Sequence, residues 1–304
     1  MYTYVIPCLL GLEKLVSDEC KRLGLQDVKA ENGRVLCRGT LEDCARLNIN
    51  LRCGARVMLV LADFPARSFE ELFQGTRAVA WEDYLPRDAA FPVKGYSISS
   101  QLHAVPACQS IIKKAMVERM KAAYHLEQFP ETGTKYQVRF AIFKDQVLLT
   151  LDTSGEGLFK RGYRAVGVEA PLRETLAAAL VQLSRYRGRD PFCDPFCGSG
   201  TIPIEAALIA KNRAPGLNRS FAAQKWPSTR SSGALCPATA GSGPRTRRGT
   251  RNSTAATTSG AAMWIPRRWP SPAATPTRPV WRRISGSRWP TCAPSTGTAS
   301  TASW

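Results

Sequence analysis

The chain has 304 residues and a formal charge of +18, with ten cysteines and only two histidines. That length suits two or three small domains. The charge is lopsided: residues 228–304 hold eleven arginines and no Lys, Asp or Glu, and taking those eleven away leaves +7 for the rest. Tyr2 to Leu10 is too short and too polar for a signal core, and no long apolar span follows, so a cytoplasmic protein with reduced thiols is expected and a membrane span is not. Cys193 and Cys197 are four apart, but both histidines lie far away in sequence, so no metal site is expected.

In chain order, Tyr2–Pro7 alternates as a strand and Leu12–Leu23 is an amphipathic helix that stops at Gly24. Val28–Ala30 and Arg34–Arg38 form a strand pair across the turn signal Asn32-Gly33. Leu41–Asn50 is a helix with Leu41, Cys44 and Leu47 at helical spacing, and Ala55–Ala62 is an apolar strand. The order β-α-β-β-α-β predicts a ferredoxin-like module over residues 1–65. A second module is expected over 66–165. It has a helix at Ser68–Val79 with Phe69, Leu72 and Phe73 as its apolar face, and a strand at Phe91–Ser99. The helix Pro106–His125 follows, with Ile111, Ile112, Ala115, Met116, Met120 and Tyr124 as its buried stripe, then a hairpin of Tyr136–Phe143 with Gln146–Asp152. The connector Lys160-Arg161-Gly162-Tyr163-Arg164 concentrates charge around a glycine and an aromatic ring.

The third region, 166–227, opens on a helix from Ala170 with Pro171 in its first turn and Arg173 and Glu174 beside it. The run Asp190–Cys193 then reads as a short buried strand, and Asp194-Pro195-Phe196-Cys197-Gly198-Ser199-Gly200-Thr201 as a tight glycine turn into an apolar helix. Gly198 and Gly200 allow the backbone to turn and a ligand to approach it. Thr201 is expected to cap the helix and Pro203 is tolerated in its first turn. Free N–H groups at that point favour an anion. Pro203 occupies the position of the third glycine of a dinucleotide fingerprint, and 214–227 offers neither a strand nor an acid for a ribose, so a nicotinamide enzyme is disfavoured. No Gly-Lys-Thr is present, which excludes a P-loop.

Asp194-Pro-x-x-Gly198-Ser-Gly200-Thr201 resembles the first motif of class I S-adenosylmethionine-dependent methyltransferases, in the version used on exocyclic amines. Ser97-Ile-Ser99, the Lys113-Lys114 helix and the final hairpin running into Lys160–Arg164 resemble the RNA-binding THUMP module of RNA methyltransferases. With Phe221-x-x-x-Lys225-Trp226, residues 1–227 are similar to bacterial THUMP-domain guanine-N2 methyltransferases of large-subunit ribosomal RNA, with a transfer-RNA branch close by. The resemblance implies an α/β chain: ferredoxin-like and THUMP modules followed by an incomplete Rossmann-like methyltransferase domain. It implies S-adenosylmethionine as cofactor, with Asp194 orienting the methionine amine, backbone N–H groups of Phe196–Gly200 taking the carboxylate, and Arg173 or Glu174 holding polar groups nearby. It implies RNA as partner, through Lys113, Lys114, Lys160, Arg161, Tyr163 and Arg164.

At Ser228 the composition breaks: no Phe, Tyr or carboxylate follows, and there is one leucine. As written, such a chain cannot bury enough apolar surface to offset its ordering entropy. A shifted reading frame explains the break. The single codons of Met263 and Trp264, with the first bases of Ile265, encode Val-Asp when read from each third base. Trp269-Pro270 and Trp289-Pro290 each encode Ala in the same frame. The out-of-frame segment can thus carry the acidic second motif that would bind the cofactor ribose, Tyr-Val-Asp-Pro in form. The Asn/Asp-Pro-Pro-Tyr motif that would grip the target amine is absent from the chain as written, which is therefore expected to be inactive. Resequencing the DNA across the codons for Lys225 to Arg230 is expected to reveal one base gained or lost. An unchanged sequence would make the basic tail genuine and end the frameshift reading.

Overall fold

Apolar residues of the first strand and helix build the centre of the structure. In β1 (Tyr2–Pro7), Tyr4, Val5 and Ile6 are all buried, so burial departs from the expected alternation, and α1 (Glu13–Arg22) brings Val16 and Cys20 against the core. The computed structural model describes residues 1–163 and 171–226. β2 (Gln26–Glu31) and β3 (Arg34–Gly39) form the expected hairpin, α2 (Leu41–Asn50) is capped by a reciprocal pair of bonds between Thr40 and Asp43, and β4 (Met58–Pro65) completes the module. That cap satisfies N–H groups the first turn cannot pair itself.

The second module adds α3 (Phe69–Arg77), β5 (Val93–Ile98), α4 (Val105–Tyr124), β6 (Val138–Phe143) and β7 (Gln146–Asp152). The two modules share one seven-stranded sheet in the order β2-β3-β1-β4-β7-β6-β5. The seam is the antiparallel β4–β7 pair, from Met58 opposite Asp152 to Pro65 opposite Gln146. β5 and β6 are parallel, as α4 between them requires. α4 buries Ile112, Ala115, Met116 and Met120. α3 departs from expectation: Phe69 is exposed and the buried stripe is Leu72 and Thr76. The Phe64 ring lies where a Cβ on Gly75 would sit, 2.2 Å away, so the helix packs through its glycine.

After the connector come α5 (Glu174–Leu183) and α6 (Thr201–Ala210), which pack on each other. Residues 190–193, expected as a strand, pair with no strand among the described residues; Pro191 and Cys193 are exposed. Pro191 and Pro195 lack the N–H that a ladder needs. Pro171 lies outside α5, because Arg173, with ψ 135, is the capping residue. Thr201 is the first helical residue of α6, and Gly200 holds the cap position with φ +76. The frameshift reading concerns 228–304, which lie outside the described residues.

Asn48 joins the two modules. Its amide donates to Thr153 Oγ1 at 2.9 Å and accepts from Ser154 Oγ at 2.6 Å, and all three residues are buried. Asn48→Ala leaves both hydroxyls short of a partner, and should cost about 2 kcal/mol, read as a lowered urea midpoint.

Candidate functional site

The glycine turn is open and preorganised. Gly198 and Gly200 have φ of +52 and +76, and a Cβ on Gly198 would meet nothing within 4 Å. These glycines are needed for their backbone conformation rather than for space. Asp194 Oδ1 accepts from the Phe196 N–H at 3.2 Å, and the Gly200 N–H bonds the Cys197 carbonyl at 2.7 Å. Those two amides, expected to face a ligand, are thus spent on the turn. Among the described residues, the N–H groups of Cys197, Gly198 and Ser199 have no partner in the chain. Ser199 Oγ and Thr201 Oγ1 lie 3.1 Å apart, and the Phe196 ring is 93% exposed.

The connector behaves differently from its sequence reading. Arg161 is 2% exposed and donates to the carbonyls of Leu51, Leu158 and Arg52. Its Nε lies 3.5 Å from Glu205 Oε1, on fully buried Glu205 of α6. Tyr163 Oη donates to the same carboxylate oxygen at 3.1 Å. Arg161 therefore cannot serve as an RNA contact, and the Tyr163 hydroxyl is turned inward. A charged group in this place is stable only when its polar partners surround it. Arg164 lies outside the described residues. Lys113, also expected on RNA, is held over the Phe91 ring at 3.6 Å, donates to the Phe91 carbonyl and pairs with Glu131 at 2.5 Å. Lys114 is exposed and reaches Glu118 only at 4.0 Å, while Lys160 pairs with Glu156 at 2.8 Å. That pairing with Lys160 holds the Glu156 carboxyl below its usual range.

The buried cluster extends further. Arg52 Nη2 donates to the carbonyls of Leu208 in α6 and of Arg213 beyond it. Glu19 of α1 accepts from the N–H groups of Arg52 and Cys53 and from Gln182 Nε2 of α5 at 2.6 Å. One set of buried charges thus ties α5 and α6 to the ferredoxin-like module. Desolvation raises the Glu205 carboxyl above its usual range, and Arg161 and Tyr163 oppose that rise.

Sequence reading missed Arg219. Its guanidinium donates to the carbonyls of Gly157, Lys160 and Glu156 and stacks on Phe221 at 4.9 Å. Together with Gly216, whose N–H bonds Ile49, and Trp226, stacked on Tyr136 at 5.3 Å, it folds 214–226 back onto both N-terminal modules. The aperiodic spacing of this loop hides such a clasp from pattern reading. Between clasp, connector and sheet lies a cavity of about 1450 Å³, whose lining includes nine Lys or Arg and two Glu. Arg173, stacked on Phe159, and Glu174 line it with Lys160, whereas the turn Asp194–Thr201 does not. Among the described residues no helix is long and apolar enough to cross a membrane, and no three His, Cys, Asp or Glu side chains gather as a metal site.

Comparison with known proteins gives a matching order of parts. Residues 3–58 match the RlmL ferredoxin-like domain, 66–152 the THUMP domain, and 161–260 the RMKL-like methyltransferase domain. YpsC of Bacillus subtilis (strain 168), provisionally designated an RNA methyltransferase, is 46% identical over 227 residues, covering 74% of this chain and 59% of that protein. The ribosomal RNA large subunit methyltransferase K/L of Psychromonas ingrahamii is 35% identical over 230 residues, 74% of this chain and 30% of that protein. Among solved structures, one described as a predicted N6-adenine-specific DNA methylase from Listeria monocytogenes shares 49% identity, with a TM-score of 0.73 over 77% of this chain and 62% of that one. SMU.472, solved as a complex with SAH, shares 46% identity, with a TM-score of 0.71 over 74% and 60%. The chain spans about three fifths of the length of its more similar relatives, and less of the K/L protein.

Arg161→Met leaves Glu205 buried without its nearest cation, and should cost about 3 kcal/mol at mildly alkaline pH. The sign of its pH dependence follows from the raised carboxyl. Losing Arg161 raises the folded-state value further, so stability present below the ordinary carboxylate range is lost as pH rises through the folded value. The deficit should therefore shrink toward about pH 5, and Arg161→Met with Glu205→Met together should recover most of it. Denaturant midpoints at the two pH values check this.

Proposed function

We propose that this chain, a member of the THUMP-domain methyltransferase family with RlmL-type ferredoxin-like, THUMP and RMKL-like methyltransferase domains, derives from an enzyme that methylates the exocyclic N2 amine of a guanine in RNA, with S-adenosylmethionine as donor. Ribosomal RNA of the large subunit is the favoured substrate and transfer RNA the alternative. The observation that carries the reading is the turn Asp194–Thr201: two left-handed glycines, three unpaired N–H groups and an open surface at the start of α6. Such a turn suits a carboxylate, and Asp194, half-buried beside it, keeps one carboxylate oxygen for an amine. These residues fit the methionine end of the cofactor.

S-adenosylmethionine, when bound, supplies an electrophilic methyl group. The turn residues hold and orient. The target amine is weakly nucleophilic because its lone pair is delocalised into the ring, so it has to be presented in line and to lose a proton to a positioned acceptor. The chain as written holds no Asn/Asp-Pro-Pro-Tyr for that step. Support for RNA comes from the THUMP domain and from the names of relatives that act on ribosomal RNA. The DNA adenine description of one similar structure favours a different substrate, and product analysis separates the two. A non-catalytic RNA-binding protein is the second reading, favoured by the missing amine-binding motif.

The chain as written should bind RNA but transfer no labelled methyl group from S-adenosylmethionine. The frame-restored chain should yield N2-methylguanosine on nucleoside analysis of ribosomal RNA. N6-methyladenine, or turnover by the chain as written, would contradict the reading.

A further inference from the structure

Helices α3 and α4 cover one face of β5–β6–β7, where Val138, Phe140, Ile142, Val147 and Leu149 are buried. Among the described residues, the other face of β5 and β6 carries large apolar side chains without cover. Tyr96 and Ile98 on β5 are each 52% exposed and Phe143 on β6 is 48% exposed. The register sets them in rows across the sheet: Lys94 beside Arg139, Tyr96 beside Ala141, and Ile98 beside Phe143. Ala141 in turn faces Leu148 on β7. On β7 the same face is buried, with Leu148 and Thr150 at 9% and 3% exposure, so the open surface is confined to β5 and β6, where the small Ala141 lies next to the Tyr96 ring. Cations stand at both ends. Lys94 and Arg139 mark one end and also line the basic cavity, and Lys144 Nζ lies 5.4 Å from the Phe143 ring centroid at the other. Arg139 is partly neutralised by Asp152, which also pairs with Arg56. Asp63, on the β4 side, is engaged by the Gln146 amide at 2.6 Å.

We propose that this open face is a stacking platform for an unpaired stretch of RNA, with bases on Tyr96 and Phe143 and phosphates along Lys94, Lys144 and the mouth of the basic cavity. The inference rests on the RNA reading above and assigns it a surface. Four arguments select this occupant. Exposed aromatic rings on a sheet accept bases of any sequence by stacking. The two ring-bearing rows are flanked by positive charge, with Lys94 and Arg139 one row from Tyr96, about 7 Å along the strand, and Lys144 beside Phe143, which suits a strand whose backbone is negative. The centre of a protein–protein interface is depleted of charge, whereas Lys94 and Arg139 fill the row next to Tyr96. A duplex keeps its bases stacked inside and would gain nothing from these rings.

The test uses the full chain and an unstructured RNA of about twelve nucleotides carrying one 5-iodouridine, with a duplex of equal length as control. Irradiation should cross-link the RNA to Tyr96 or Phe143, identified by peptide mass spectrometry. Tyr96→Ala should weaken binding of the single strand about tenfold, Tyr96→Phe should bind as the wild type does, and the duplex should bind all three alike. Tyr96 is exposed, so the fold does not depend on it. Cross-links confined to other regions, including the arginines of 228–304, would overturn the proposal. So would unchanged affinity in Tyr96→Ala, or a change in self-association in its place. A wild-type chain that binds no RNA would instead remove the RNA reading itself.

Discussion

The arrangement depends on one buried carboxylate. Glu205 sits inside the protein on the helix that begins at the glycine turn, and its charge is tolerable because Arg161 and Tyr163 converge on it. Neither partner belongs to α5 or α6; both come from the connector that leaves the seven-stranded sheet. Arg161 is itself fixed by carbonyls of Leu51, Arg52 and Leu158. The position of the turn relative to the sheet is thus set by charge pairing inside the protein, where water cannot compete for the partners.

This explains an unusual feature of the third region. α5 and α6 stand without a parallel sheet among the described residues, so they lack the support that strands give such helices. Their contact with each other is supplemented by Glu19, which holds Gln182 of α5, and by Arg52, which holds the Leu208 carbonyl of α6. Two residues expected as RNA contacts, Arg161 and Tyr163, instead hold α6 through Glu205. The electropositive cavity, lined by the connector and the clasp, and the open face of β5 and β6 share Lys94 and Arg139.

The N-terminal modules were legible in sequence because their elements obey local rules. β6 alternates, α4 keeps its stripe, and Asn32-Gly33 marks a turn. Joining the two modules into one sheet was not legible, since β4–β7 pairing spans residues far apart in the chain. The glycine turn was legible in its conformation, but the strand before it was not formed: an apolar run takes strand geometry only with neighbours to pair. Charge was the least legible property. Lys113 and Arg161 read as surface cations, yet one lies over a ring and the other is enclosed. Sequence gives the charge, and only the three-dimensional partners decide whether it faces a ligand or a buried carboxylate.

The central claim is that buried charge, rather than a local sheet, holds the helix of the glycine turn on the sheet that precedes it. Hydrogen exchange along α6 tests it most directly. The account predicts that amides of Glu205–Ala210 are protected to the same degree as those of β1, and that Arg161→Met releases α6 selectively while β1 stays protected. If α6 exchanges rapidly in the wild type, or if its protection is indifferent to Arg161, the cluster does not hold the helix and the account is contradicted.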